Sequence, residues 1–383
     1  MRIGIDARAI LNPEKSAPTG VANYVWQLIK NLLEIDRENQ YVLFFDFKVR
    51  DKDVKRFSKP NVKIKFFPFS DYKKYMPGAY SEILGMATYA REKMDVLHTT
   101  SPLYRVPATY RGKIVTTFYD FAPYRVPELF PKLSTAKLKT LYSFAAKKSD
   151  HIIAVSESTK KDVREFLGYP AEKITTIYNG IDNRFFDTAS AGSAEDVKNL
   201  YKVKDKYILF LGTLEPRKNL TRVIEAFSKF KNSFQGKSNY QLVVAGKKGW
   251  LTEAYFQQTE DLGVKEDVVF TGYVSGDELK PLYANCEFFV MPSLYEGFGQ
   301  TIVEAMACGA PCLVSKVSSI PEIVDKAACF VNPHDTEGIA RGMENLAQDK
   351  ALRERLSAAG KEQAKKFSWE KCARETLEVY KNV

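Results

Sequence analysis

The amino-acid sequence predicts an α/β protein built from two doubly wound domains, and three observations predict it. Short apolar runs alternate with stretches of helical periodicity along nearly the whole chain. The alternation breaks once, at a small polar segment, and then restarts. The length, 383 residues, suits two ordinary domains.

The first half opens on the strand "RIGIDA". The helix "GVANYVWQLIKNLLEI" follows, with Val21, Tyr24, Val25, Leu28, Leu32 and Ile35 on its apolar stripe. Further strands are "YVLFF", "VKIKFF", "VLHTT", "KIVTTF" and "HIIAVS". "STKKDVREFLG" reads as a helix capped by Ser158 that ends near Gly168, ahead of Pro170. The polar break runs from Asp187 to Asp196. Beyond it come strand "YILFLG", helix "LTRVIEAFSKF", strand "YQLVVAG", helix "EAYFQQTEDLG", strand "VVFTG", helix "GDELKPLYANC", strand "FFVMPS", helix "TIVEAMACG" and strand "PCLVS". The expected domains are therefore 1–186 and 187–366, with 367–383 a C-terminal helix packing back on the first. Doubly wound sheets bind ligands at the carboxyl ends of their strands. Two such domains facing a cleft between them would place a small-molecule site there.

Composition excludes several classes. An apolar share of 45% and a charged share of 27% describe a soluble globular chain. No apolar run approaches the roughly 18 residues of a membrane helix. A strand begins directly after Met1, so a signal peptide is not expected and a cytoplasmic location is. Five cysteines, all in the C-terminal third, make no disulfide framework. Cys308 and Cys312 lack a second pair that would complete a zinc site. No G-x-G-x-x-G opens the first helix and no P-loop motif is present. The formal charge of +10 divides unevenly: residues 1–185 carry +11 and residues 186–383 carry −1. An acidic partner is expected to meet the N-terminal half.

The chemistry-bearing residues gather at strand ends of the second half: "LGTLEPRKNL", "VAGKKGW", "FTGYVS" and "MPSLYEGFGQT". Glycines there admit a ligand close to the backbone, and helix N-termini favour anions. Glu296 and Glu304 flank the Gly297-Phe298-Gly299 run. Carboxylates accept hydrogen bonds from vicinal hydroxyls.

These pieces, with "IYNGID" and the terminal "FSWEKCARETLEVY", resemble in order the group-1 glycosyltransferases, family 4, of GT-B architecture. The segment "SLYEGFGQTIVEAMACGAPCLVS" is similar to that family's E-x7-E motif. The resemblance implies retaining transfer of a hexose from a nucleotide sugar, metal-independent and without a cofactor. It implies that Glu304 grips the donor ribose and Glu296 the donor sugar. Phe298, Gly299 and Gly297 would offer backbone at the helix start, and Gly212 would line the site. Lys218 and Arg217 would face the diphosphate. The family commonly carries Arg where this chain has Thr213, so Arg217 is expected to supply the missing guanidinium. Gly20 stands where the family has a glycine-rich loop against the donor phosphate. Tyr119 replaces a histidine, which leaves Asp120 to orient the acceptor hydroxyl or donor sugar. His98 is read as a strand-end histidine bonded to backbone, with an acceptor contact as the rival reading. Ser156 and Glu157 read as a helix cap. The "GTLEPRKN" form resembles mannosyltransferases of bacterial surface polysaccharide, which makes GDP-mannose the first expectation for the donor. The acceptor would be a saccharide or polyprenyl-linked glycan.

The only D-x-D, Asp51 to Asp53, sits in a lysine-rich run and reads as a solvated loop rather than a metal site. The basic, aromatic-interleaved segments of the first half suggest peripheral contact with an anionic membrane. Two rivals are a basic nucleic-acid-binding protein, which leaves the E-x7-E segment idle, and a GT-B-like nucleotide-sugar epimerase, which needs no acceptor.

Overall fold

The computed structural model describes residues 1–10, 20–49, 54–67, 78–104, 106, 110–187, 194–233, 239–247, 252–274 and 276–383. The chain forms two compact units: Met1–Gly180 together with Ser368–Val383, and Ile181–Phe367.

The first unit holds a seven-stranded parallel sheet in the order β3-β2-β1-β4-β5-β6-β7. Its strands are β1 (Arg2–Asp6), β2 (Gln40–Phe45), β3 (Val62–Phe66), β4 (Val96–Thr99), β5 (Lys113–Phe118), β6 (His151–Ala154) and β7 (Ile174–Thr176). The central strands are apolar on both faces, as helix-covered parallel sheets require: Ile3, Ile5, Leu43, Leu97, Val115 and Ile153 are fully buried. Helix Val21–Ile35 buries Tyr24, Val25, Leu28 and Leu32 of the predicted stripe, while Val21 and Ile35 at its ends are half-buried. The C-terminal helix Trp369–Asn382 belongs to this unit. Trp369 lies edge-on to Tyr24 at 5.8 Å.

The second unit holds a six-stranded parallel sheet in the order β10-β9-β8-β11-β12-β13. Its strands are β8 (Lys206–Leu211), β9 (Tyr240–Ala245), β10 (Val268–Gly272), β11 (Phe288–Met291), β12 (Cys312–Ser315) and β13 (Ala328–Val331). The strand order reverses between β8 and β11, and the carboxyl edge of an open α/β sheet at such a reversal is where ligands usually bind.

Several boundaries differ from the sequence expectation. The units part after Gly180 and after Phe367, rather than at 186 and 366. The Ile181 N–H bonds the Phe367 carbonyl at 3.2 Å. Phe185 is buried edge-on against Tyr283. Residues 181–186 are thus already packed in the second unit. Of the polar break, Ala194–Asp196 begin helix Ala194–Tyr201, and 188–193 lie outside the described residues. The helix expected to be capped by Ser158 is Glu157–Leu167, capped by Ser156, whose Oγ accepts the Thr159 N–H at 3.0 Å. The sequence reading lacked β7, whose three residues are too few to show a pattern, and β13, which is no shorter than β11 or β12 but is only partly buried.

Candidate functional site

The carboxyl ends of β8 and β11 deliver two loops to one place. After β8 the chain passes Gly212 and makes a short 3-10 turn, Pro216–Lys218. After β11 it makes the Ser293–Glu296 turn. The Leu294 N–H donates to the Arg217 carbonyl at 2.8 Å, which ties the loops together. Gly246, at the end of β9, has room for no side chain: a Cβ there would overlap the Gly212 carbonyl.

The two loops build a charge cluster around Glu296. Lys218 Nζ donates to Glu296 Oε1 at 2.6 Å, and Arg217 Nη1 donates to Oε2 at 2.9 Å. Ser293 Oγ adds a third bond, 2.7 Å to Oε1. Arg217 also donates to the Tyr295 carbonyl at 2.6 Å and to Glu215 Oε1 at 2.5 Å. Burial of Glu296 opposes ionisation, but the charges of Lys218 and Arg217 prevail and hold its carboxyl at about 2. Glu296 is therefore a carboxylate at any physiological pH. The Arg217 side chain is 15% exposed and faces Glu296.

Helix Gln300–Ala307 starts beside the cluster, with Gly299 as its N-cap at φ 94°. Phe298 is buried edge-on to Phe367, so its ring serves packing while its backbone opens the helix. Gly297 is buried in the same turn. Glu304 lies within this helix. Tyr283 Oη donates to its Oε2 at 3.2 Å. Burial pushes the Glu304 carboxyl up to about 7, against the Tyr283 hydrogen bond and the positive charge of Arg184. The two glutamates of the motif therefore have opposite electrostatic settings: Glu296 is fixed as an anion, and Glu304 titrates near neutrality. A Cβ on Gly212 would meet the ends of Lys218 and Met291 at ordinary contact distance, both at 3.7 Å.

Gly20 and Asp120 belong to the first unit. Gly20 is the exposed N-cap of helix Val21–Ile35 at φ 61°, and residues 11–19 before it lie outside the described residues. Asp120 follows β5, and its Oδ1 accepts the Ala122 N–H at 3.0 Å at the start of a four-residue helix. Tyr119, at the position of the family histidine, donates its hydroxyl to the Thr100 carbonyl at 2.6 Å. His98 departs from expectation. It is wholly buried and bonded to side chains, Nδ1 to Tyr380 Oη at 2.6 Å and Nε2 to Thr117 Oγ1 at 2.8 Å. Nδ1 thus fixes the C-terminal helix to the sheet, while Nε2 ties β4 to β5.

Sequence reasoning missed Glu215, Ser293 and the serines after β12 that contact the Glu296 backbone. Their signal was weak, because single polar residues in loops have no periodicity. It also missed the buried Asp6–Arg8 pair after β1, where Arg8 Nη2 meets Asp6 Oδ2 at 2.6 Å and the guanidinium lies 4.3 Å over the Phe67 ring. The five cysteines are free, and burial pushes the Cys308 and Cys372 thiols up to about 12. The described residues hold no group of three or more His, Cys, Asp or Glu side chains placed for a metal ion. Asp51 and Asp53 lie outside the described residues. Among the described residues no helix is long and apolar enough to cross a membrane.

Comparison with known proteins adds the family. Residues 193–363 match the family described as glycosyl transferases group 1, and residues 18–185 match glycosyltransferase family 4. The chain is 29% identical over 376 residues to O-antigen chain mannosyltransferase B of Escherichia coli, covering 96% of this chain and 97% of that protein. It is 32% identical over 290 residues to the serotype-specific mannosyltransferase WbdA of Escherichia coli, of which it spans only 35%. Among solved structures it is similar to sucrose-phosphate synthase from Thermosynechococcus elongatus, with a TM-score of 0.79 at 18% identity over 100% of this chain and 98% of that one. It is also similar to Anabaena Alr3699/HepE in complex with UDP and glucose, at 0.75 and 18% identity with both chains fully covered. At such identities the structural likeness speaks for the fold, two Rossmann-like parallel-sheet domains of GT-B type.

Proposed function

Since the chain belongs to the group-1 glycosyltransferases, with a family-4 N-terminal half, we propose that it moves a hexose from a nucleotide sugar to a glycan or polyprenyl-linked saccharide acceptor, with retention at the anomeric carbon and without a metal. GDP-mannose is the proposed donor. Two mannosyltransferases of Escherichia coli among the relatives, one of them matched along nearly its whole length, support that choice. The observation that carries the reading is the Glu296–Lys218–Arg217 cluster at the strand reversal of the second unit.

The proposed roles combine the family resemblance with this geometry. Glu296, held ionised, accepts hydroxyls of the donor sugar. Glu304 accepts the ribose diol. Lys218 gives one of its three N–H donors to Glu296 and turns the others to the diphosphate. Arg217 adds its guanidinium charge beside it. As the sugar–phosphate bond breaks, negative charge grows on the departing nucleoside diphosphate, and these cations together with the backbone at Gly212, Gly297, Phe298 and Gly299 stabilise it. A donor phosphate oxygen takes the proton of the attacking acceptor hydroxyl from the same face. Asp120 and the Gly20 turn are assigned to the acceptor side and to the donor phosphate. The first unit is further assigned a membrane-facing role: helix Lys132–Lys148 carries Lys132, Lys137, Lys139, Lys147 and Lys148 with no acidic residue, and Leu133 is 88% exposed.

A thermal-shift panel of nucleoside diphosphates and sugar nucleotides on wild type and Glu304→Ala tests this reading. The expected result is stabilisation by GDP and GDP-mannose that Glu304→Ala abolishes. Selectivity for UDP would keep the enzyme and replace mannose. Silence across the panel would overturn the reading.

A further inference from the structure

Three serine hydroxyls converge on the backbone of the Ser293–Glu296 turn. Ser315 Oγ, at the end of β12, donates to the Ser293 carbonyl at 2.6 Å. Ser318 Oγ accepts the Glu296 N–H at 2.8 Å. Ser319 Oγ donates to the Glu296 carbonyl at 3.0 Å. Ser315 and Ser319 are wholly buried.

The last two serines each depart from their locally favoured arrangement. Ser318 has φ +47°, a left-handed conformation that glycine adopts freely and serine does not. Ser319 is the N-cap of helix Ile320–Val324, where a serine hydroxyl ordinarily accepts an N–H of the first turn. It makes no side-chain cap bond; the hydroxyl is turned to Glu296. Two unfavourable local choices, side by side, thus serve the two ends of one residue's backbone.

We propose that Ser318 and Ser319 are positioning residues for Glu296: a backbone clamp that grips its N–H and its carbonyl and so aims its carboxylate at the donor sugar. The proposal rests on the role given to Glu296 above. The side-chain end of Glu296 is held by Lys218, Arg217 and Ser293. A bound diphosphate draws on the same Lys218 ammonium, which loosens that end at the moment when aim matters. The backbone clamp shares no atom with the phosphate-binding groups and keeps the carboxylate directed. A misplacement of roughly 1 Å at a reacting centre costs about a hundredfold in rate, so a clamp of this kind has a measurable yield.

Ser318→Gly is the informative variant, because it keeps the positive φ, relieves its strain and removes only the hydroxyl. The expected results are a Tm equal to or above wild type, faster hydrogen exchange at the Glu296 amide, and a kcat for transfer from GDP-mannose lowered by roughly tenfold with little change in donor KM. Ser319→Ala should lower kcat likewise, and Ser319→Thr, which keeps the hydroxyl, should restore it. Unchanged exchange at Glu296 in Ser318→Gly overturns the clamp, and that arm needs no donor. Glu296→Gln separates the two levels of argument. If it abolishes transfer while both serine variants stay within twofold of wild type, the clamp alone falls. If Glu296→Gln itself transfers normally, the role of Glu296 falls and takes the clamp with it.

Discussion

Lys218 Nζ stands 2.6 Å from Glu296 Oε1, a cation and an anion both largely withdrawn from water at the reversal of the second sheet. Lys218→Met would leave Glu296 with Arg217 as its remaining cation. Breaking a buried pair from one side is costly because the surviving charge stays desolvated. The expected loss is about 3 kcal/mol in urea unfolding, the lower end of the usual range because Arg217 remains. The acid limb should move as well. The folded-state carboxyl titrates at about 2, below its ordinary 4.5, so its contribution is complete above pH 4.5 and disappears as pH falls towards 2. In Lys218→Met the acid unfolding midpoint should shift to higher pH, as followed by circular dichroism.

Glu304 carries the opposite sign. Its folded-state carboxyl titrates at about 7, above the ordinary 4.5, so between those values the folded protein binds the extra proton. Stability from this group is complete below pH 4.5 and falls as pH rises through 7. Glu304→Gln should flatten that slope in a series of thermal melts. Nucleoside diphosphate affinity should rise with pH through neutrality in the wild type, as the carboxylate forms, and lose that rise in the variant. Isothermal titration at pH 6 and pH 8 reads the difference.

His98 bonds Tyr380 and Thr117 inside the first unit, and burial pushes its ring down to about 3. It stays neutral in the folded protein while the unfolded chain titrates at the ordinary 6.5. Its contribution is therefore complete above pH 6.5 and is lost as pH falls towards 3. His98→Ala should cost about 3 kcal/mol, from a cavity and a Tyr380 hydroxyl that loses its His98 partner, and should loosen the C-terminal helix. Proteolysis at the C-terminus and hydrogen exchange in residues 369–382 check this. Nucleotide binding by the folded variant should be unchanged.

Gly180 ends the first unit against Trp369, where a Cβ would overlap the Trp369 backbone. Backbone cannot swing aside as a flexible side chain can. Gly180→Ala should therefore destabilise by about 2 kcal/mol or more, read as a lowered Tm. Tm equal to wild type would show that the chain accommodates the methyl group.

Charge reversal at Lys137, Lys139, Lys147 and Lys148 should abolish binding to vesicles of anionic lipid while leaving donor-induced thermal shifts intact. The cations lie on one helix of the first unit, whereas Glu304, Lys218 and Glu296 lie in the second. Vesicle flotation with neutral lipid as the control tests it, and unchanged flotation removes the membrane role.

The sequence by itself determined the two parallel sheets. Near-continuous apolar strands such as "YILFL" and "FFVM" are buried on both faces, and only helix-covered parallel sheets bury strands in that way. It also determined which carboxylates to examine, since Glu296 and Glu304 stand in an ordered motif. Tertiary structure alone decided their states. Glu296 is an anion because Lys218 and Arg217 reach it from a loop 78 and 79 residues earlier in the chain, and Glu304 is near-neutral because burial around it outweighs Tyr283 and Arg184. Periodicity reports what a segment buries, not which side chain from another strand end will stand opposite. For the same reason His98 looked like a backbone-bonded strand end and proved to be an anchor for Tyr380, a partner 282 residues away. Ser318 and Ser319 were two ordinary loop serines in the sequence. Their hydroxyls gained a target only when folding brought the loop after β12 against the loop after β11.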